Sequence, residues 1–372
     1  MTGLIISANE IFDGVKFHPQ AQLVVENGKV VTIEATDGRA TEHIDGIIAP
    51  GFIDLQVNGG GGVLLNTHPT LKGVKTIIAA HRQFGTTAML PTLITDTVEV
   101  MTQAADAIAL AIAEDVAGVL GIHFEGPHLS VAKKGAHSQE FIRPISGAEW
   151  TILSRTDIGQ IKVTIAPENV GVKDIKRMVS LGIKVFLGHS NADYATTQAA
   201  LDAGADGFTH LFNAMSAFTS REPGMVGAAL LNDQAVCGLI VDGHHVDYAS
   251  CRVALKAKPV GKVLLVTDAM SVVGSDIERF AFFDREIIKT GTRLNSSSGE
   301  LAGSALDMAS AVRNTHKYIQ QPLGIALKMA SLYPAQYLGV ADRIGQLQVG
   351  AQADFIALNK ELVVIGSWIA GN

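Results

Sequence analysis

Short apolar runs recur through the middle of the chain, and each one ends in polar residues. They read GFIDLQVNG (from 51), TTAMLPTLI (86), VLGIHFEG (119), IKVTIAPE (161), IKVFLGHS (183), DGFTHLFN (206), CGLIVDGHH (237) and KVLLVTDAM (262). Between most of them lie stretches of helical period, such as AADAIALAIAEDV and YATTQAALDAG. Buried strands alternating with amphipathic helices predict a parallel sheet. Eight such units in 372 residues fit an α/β (β/α)8 TIM-type barrel better than an open doubly wound sheet. No G-x-G-x-x-G follows the first run, which weakens a dinucleotide-binding reading.

The two ends have a different rhythm. VVENGKVVTI places Asn27-Gly28 between apolar arms, a hairpin signal because both turn positions favour positive φ. The last thirty residues return to short strands with ADFIALN and ELVVIGSWIAGN. Neither end carries enough apolar surface to fold alone. The expectation is a small discontinuous β-sandwich domain from 1–49 and 344–372, with the catalytic barrel, 50–343, inserted between.

Composition narrows the function. Hydrophobic residues are 47% and charged residues 17% of the chain, which excludes a disordered protein. A net charge of −7 argues against nucleic acid and anionic membrane as partners. Two cysteines, Cys237 and Cys251, cannot build a disulfide scaffold or a four-cysteine zinc site. MTGLIISANEIFDG lacks the basic and apolar regions of a signal peptide, and no run of about 18 apolar residues occurs, so a cytoplasmic protein is expected.

The polar residues gather at one end of the runs: Gln56 and Asn58, Glu125, His189, His210, Asp242 with His244 and His245, and Asp268. In a barrel these ends share the C-terminal face, where βα loops build active sites. A lone strand-end histidine is usually a satisfied core group. Glu125, His189 and His210 together form a metal-ligand set that leaves a coordination position open. Asp268, ending the last run, is a candidate general base, although it could equally cap the following turn. In the loop GPHLSVAKKGAHSQEF, His128 and His137 both qualify to polarise a carbonyl, and spacing does not choose between them. Asn213 and Arg221, after His210, offer groups for a phosphate.

The segments PGFIDLQVNGGGGV, HFEGPHLSVAKKGAH, LGHSNADY, THLFNAMSAFTSREPGMVG, DGHHVDY and LVTDAMS together resemble the N-acetylglucosamine-6-phosphate deacetylase family of the amidohydrolase superfamily. The resemblance implies a metal-dependent barrel that hydrolyses the acetamide of N-acetyl-D-glucosamine 6-phosphate to D-glucosamine 6-phosphate and acetate. It implies Glu125, His189 and His210 as metal ligands, Asp268 as the catalytic aspartate, and His137 rather than His128 at the acetamide carbonyl. It implies Asn213 and Ala214 near the sugar, and Arg221 and His245 at the phosphate. Some of these contacts cross to a neighbouring subunit in the family, which implies a homodimer.

Many members of the wider superfamily carry H-x-H on the first strand, where this chain has Gln56-Val57-Asn58. Amides are poor zinc ligands, so these are expected to be vestigial second-metal positions. One divalent metal per subunit is expected, zinc ahead of Fe2+, Co2+ or Mn2+. The sister reaction on N-acetylgalactosamine 6-phosphate would use the same catalytic set. Cyclic-amide hydrolases typically want H-x-H and a modified lysine, and strand four ends here in APEN. A non-catalytic sugar-phosphate binding protein would be expected to have lost part of the acid, base and metal set.

Overall fold

A computed structural model describes residues 3–283, 285–296 and 299–372. The eight apolar runs form Phe52–Val57, Thr86–Ile94, Gly121–Glu125, Gln160–Ile165, Lys184–Leu187, Gly207–Phe208, Val236–Leu239 and Val263–Leu265. They pair in parallel with their sequence neighbours, in unbroken order. The barrel closes where Asp268 N–H donates to Gln56 O at 3.0 Å and Val57 bridges Ala269. Burial on both faces explains why these strands read as continuous apolar runs.

The helices between them turn one apolar stripe inward. Val98–Ala113 buries Met101, Ala104, Ala105, Ile108 and Ala111, the spacing of one helical face. Thr70, Thr97, Asp193, Asp247 and Asp307 cap five of the helices, each side chain accepting a hydrogen bond from a first-turn amide. Among the described residues, no helix is long and apolar enough to cross a membrane.

Strands from both ends combine in one six-stranded sheet: Val364–Trp368, Phe355–Leu358, Glu42–Pro50, Leu4–Phe12, Phe17–Glu26 and Lys29–Ala35. All pairs are antiparallel except Leu4–Phe12 with Glu42–Pro50. The Asn27-Gly28 turn has φ of 51° and 75°, the double positive value that its composition predicts. Beyond the last barrel strand, Arg279–Phe282, Arg285–Thr290 and Arg293–Ser296 form a separate antiparallel sheet that the sequence reading missed.

A polar layer lies inside the barrel. Asp54 accepts bonds from Thr267 Oγ1 at 2.5 Å and from Gln56 N–H at 3.1 Å. Lys162, 1% exposed, donates to Leu55 O at 3.3 Å and lies 4.3 Å from the Phe186 ring centroid. Burial pushes the Asp54 carboxyl up to about 7 and the Lys162 ammonium down to about 8.

Candidate active site

Glu125 is the last residue of the third barrel strand, while His189 and His210 each follow the end of a strand. All three side chains are buried and their ligand atoms converge. Glu125 Oε1 stands 3.3 Å from His189 Nε2 and 3.1 Å from His210 Nε2, and the two nitrogens are 2.9 Å apart. Ligands around a tetrahedral ion with bonds of about 2.0 Å stand about 3.3 Å apart, so the set fits one small divalent cation. His189 Nδ1 lies 3.0 Å from Lys133 O, which fixes that nitrogen as the donor and leaves the Nε2 lone pair facing the other two ligands. Burial works against the Glu125 charge, yet the two imidazoles hold its carboxyl well below the ordinary range. His210 is raised, Glu125 outweighing the opposing effect of burial.

Asp268 faces this set from beyond the eighth strand. Gln56 Nε2 donates to Asp268 Oδ1 and to Glu125 Oε1, both at 3.1 Å, and Asn58 Nδ2 donates to Asp268 Oδ1 at 2.7 Å. With their NH2 groups committed to carboxylates, the two amides present hydrogens and not lone pairs to this side, which does not suit a second cation there. Their oxygens, Gln56 Oε1 and Asn58 Oδ1, are buried and find no hydrogen-bond partner among the described residues. Burial and repulsion from Glu125 raise the Asp268 carboxyl despite these donors.

Backbone conformation aims these groups. His189, His210 and Asp268 have φ of 46°, 34° and 53°, and Ala214 has 51°. Side-chain residues rarely adopt this left-handed region, and His189, His210 and Asp268 do so within three residues of the end of a barrel strand.

His137 is 4% exposed, its ring edge-on to His189 at 4.3 Å between centroids. Burial keeps its imidazole neutral, well below the usual histidine range. His128 turns elsewhere, with Nδ1 2.9 Å from Arg143 O. A cavity of about 170 Å³ brings together Asn58, Glu125, His137, His189, His210, Asn213, Ala214, His245 and Asp268. Gln56 stands behind this lining. His245 is oriented by Asp242, Oδ2 to Nδ1 at 2.6 Å. Arg221 is exposed and does not line its own chain's cavity.

The cavity's apolar wall of Ile94, Met270, Phe282 and Leu301 was missed from sequence. So was Thr95, although it continues TTAMLPTLI into a polar strand end like the others. Phe282 and Leu301 gave no such signal.

The amidohydrolase family model matches residues 47–372. An N-acetylgalactosamine-6-phosphate deacetylase from Shewanella sp. (strain ANA-3) is 51% identical over 326 residues, covering 88% of this chain and 82% of its own. An N-acetylglucosamine-6-phosphate deacetylase from Haemophilus influenzae is 35% identical, over 94% of this chain and 93% of its own. The crystal structure of N-acetylglucosamine-6-phosphate deacetylase from Pasteurella multocida superposes with a TM-score of 0.95 at 36% identity, covering 100% of this chain and 99% of that one.

Proposed function

The chain belongs to the amidohydrolase family and is a hydrolase, and we propose on that premise how its cavity works on an amino-sugar phosphate. The substrate is N-acetyl-D-glucosamine 6-phosphate, and the products are D-glucosamine 6-phosphate and acetate, a step of amino-sugar breakdown. The meeting of Glu125, His189 and His210 with Asp268 and His137 in one cavity carries the chemical reading. The relatives named for this reaction support the sugar.

Glu125, His189 and His210 would hold one divalent ion. Two imidazoles and a carboxylate suit zinc, and Fe2+, Co2+ and Mn2+ share that preference. Such an ion supplies Lewis acidity, polarising the acetamide carbonyl and acidifying water. Asp268 takes the proton from the attacking water as its oxygen bonds to the acyl carbon. Oδ2 does this, because Oδ1 is already held by Gln56 and Asn58. The same proton then passes to the sugar nitrogen as the C–N bond breaks, so the amine leaves neutral. His137 donates from Nε2 to the oxygen that gains charge. Asn213, Ala214 and His245 hold the sugar and its phosphate.

Arg221 reaches the phosphate of a neighbouring subunit, making the enzyme a homodimer with shared sites. Its exposure outside its own cavity supports this, as does Phe218 on the same loop, 64% exposed. The setting is cytoplasmic.

The 51% identical relative favours a second reading, the same reaction on N-acetylgalactosamine 6-phosphate. Acetate release from both phosphates and from unphosphorylated N-acetylglucosamine, with metal content measured, separates them. Preference for the gluco phosphate with one metal per chain is expected. Preference for the galacto phosphate would move the substrate and keep every catalytic role. No release from any sugar, with metal bound, would sink the reading.

A further inference from the structure

The cavity has one apolar side. Among the described residues, the large apolar side chains that reach it are Ile94, Met270, Phe282 and Leu301. Ile94, Met270 and Phe282 are buried in one cluster, so they form a continuous wall. Ile94 ends the second barrel strand, in register with Glu125 of the third. Met270 lies just beyond Asp268, after the eighth strand. Its Sδ is 3.6 Å from Asn58 Nδ2, the amide that holds Asp268 Oδ1 at 2.7 Å. Asn213, Ala214 and His245, proposed above for the sugar and its phosphate, come instead from the loops after the sixth and seventh strands. In the unbroken strand order, the sixth strand faces the second across the barrel.

Met270 is held in place. Gly303 has φ of 60°, and a Cβ there would stand 2.4 Å from Met270 Cγ and 2.7 Å from Sδ. The bare glycine backbone confines a side chain that is ordinarily adaptable.

An acyl carbon under attack has three substituents to place. Its oxygen lies toward Glu125, His189 and His210, and its nitrogen leads to the sugar on the side of strands six and seven. The alkyl group is left the side of strands eight, one and two, where the wall stands. A methyl group buried on that wall is stabilised, whereas each further methylene must displace packed side chains.

We infer that Met270, together with Ile94 and Phe282, sets the length of acyl group that the enzyme removes. The inference rests on the proposed amide hydrolysis and names the acyl specificity of that site. Met270 touches the alkyl group and takes no part in proton transfer.

The test uses N-acetyl, N-propionyl and N-butyryl forms of both sugar phosphates on the zinc-loaded protein, followed by release of the amine. The wild type is expected to favour acetyl over propionyl about 50-fold in kcat/KM, the discrimination of one methylene by an apolar pocket. Met270→Ala should raise the propionyl-to-acetyl ratio about 10-fold, and Met270→Leu should leave it within about 3-fold. Should Met270→Ala fail to fold, Ile94→Val opens the same wall by one methyl group and should move the ratio about 3-fold in the same direction. Equal rates on all acyl groups in the wild type would overturn the inference. So would a fall by one common factor in the wall variants, which would mean that the wall meets the sugar ring. Acetohydroxamate, propionohydroxamate and butyrohydroxamate, binding through their oxygens, give a readout without turnover by calorimetry. Acetohydroxamate should bind the wild type tightest, and Met270→Ala should shift the preference toward propionohydroxamate. If the hydroxamates show this limit yet no sugar phosphate is cleaved, the alkyl pocket stands and the substrate reading fails.

Discussion

Replacing Asp268 with Asn leaves a side-chain oxygen for the Gln56 and Asn58 amides and removes the proton acceptor. Turnover should fall about 10³-fold while metal content by atomic absorption stays at the wild-type value. Asn58→Leu removes the shorter of the two amide bonds and should lower kcat about 10-fold with little change in KM. In the Asp268→Asn background it should cost almost nothing more, because its effect runs through that carboxylate. Asp54 makes a different prediction, about pH. Its folded carboxyl titrates near 7 against 3.8 when unfolded, so folding holds a proton between these values. The resulting stability is complete below about pH 4 and lost as pH rises through 7, on the order of 4 kcal/mol in all. Asp54→Asn should flatten the Tm profile across that window. At this scale Glu125, His189, His210 and Asp268 stood out as candidates, because a polar residue closing an apolar run is conspicuous, and the structure brings all four to one cavity. The sequence could not show the left-handed backbone that aims three of them, since neither histidine nor aspartate advertises a positive φ. Nor could it show the amide orientations of Gln56 and Asn58, which depend on carboxylates far away in the chain.

Between the third strand and the next helix, the loop bearing His137 is held by a clamp at its far end. Arg143 donates to Asp96 O at 2.7 Å, to Phe141 O at 2.9 Å and to Glu149 Oε1 at 2.6 Å. Glu149 also completes the capping box with Ser146 that opens the helix Gly147–Leu153. Burial opposes the Glu149 charge, yet bonds from Ser146 and Arg143 hold its carboxyl down at about 2. This stabilisation is present above about pH 4.5 and lost as pH falls toward 2. Arg143→Met should cost about 3 kcal/mol by urea unfolding and move the onset of acid unfolding to higher pH, because Glu149 is left buried without its cation. Strands and helices were legible wherever their period was clean. The sheet over 279–296 was not: of Arg279–Phe282 only Phe282 is buried, so the segment has no continuous apolar run.

The proposed dimer makes its strongest prediction at the scale of the whole molecule. Arg221→Ala and Asp268→Asn should each be nearly inactive as pure proteins. Mixed and allowed to exchange subunits, they should recover activity. In a hybrid, the chain with an intact Asp268 receives Arg221 from its neighbour and has one complete site. No recovery, with exchange verified by mass, would mean that Arg221 serves its own chain or none. The joining of the two ends into one sheet was legible for a related reason: neither end has enough apolar residues for a core of its own. Which strands pair was not legible, because register depends on partners more than 300 residues away, as with Phe355 against Pro50.

The left-handed residues at 189, 210 and 268 carry a consequence for inheritance. Each holds a backbone that glycine would accept with less strain, by about 1 kcal/mol, so fold stability alone does not protect these letters. Asp268 is further strained by repulsion from Glu125. A lineage released from the need for this reaction should therefore lose its histidines and aspartate early and keep its barrel. The relic would be sturdier than its ancestor and chemically silent.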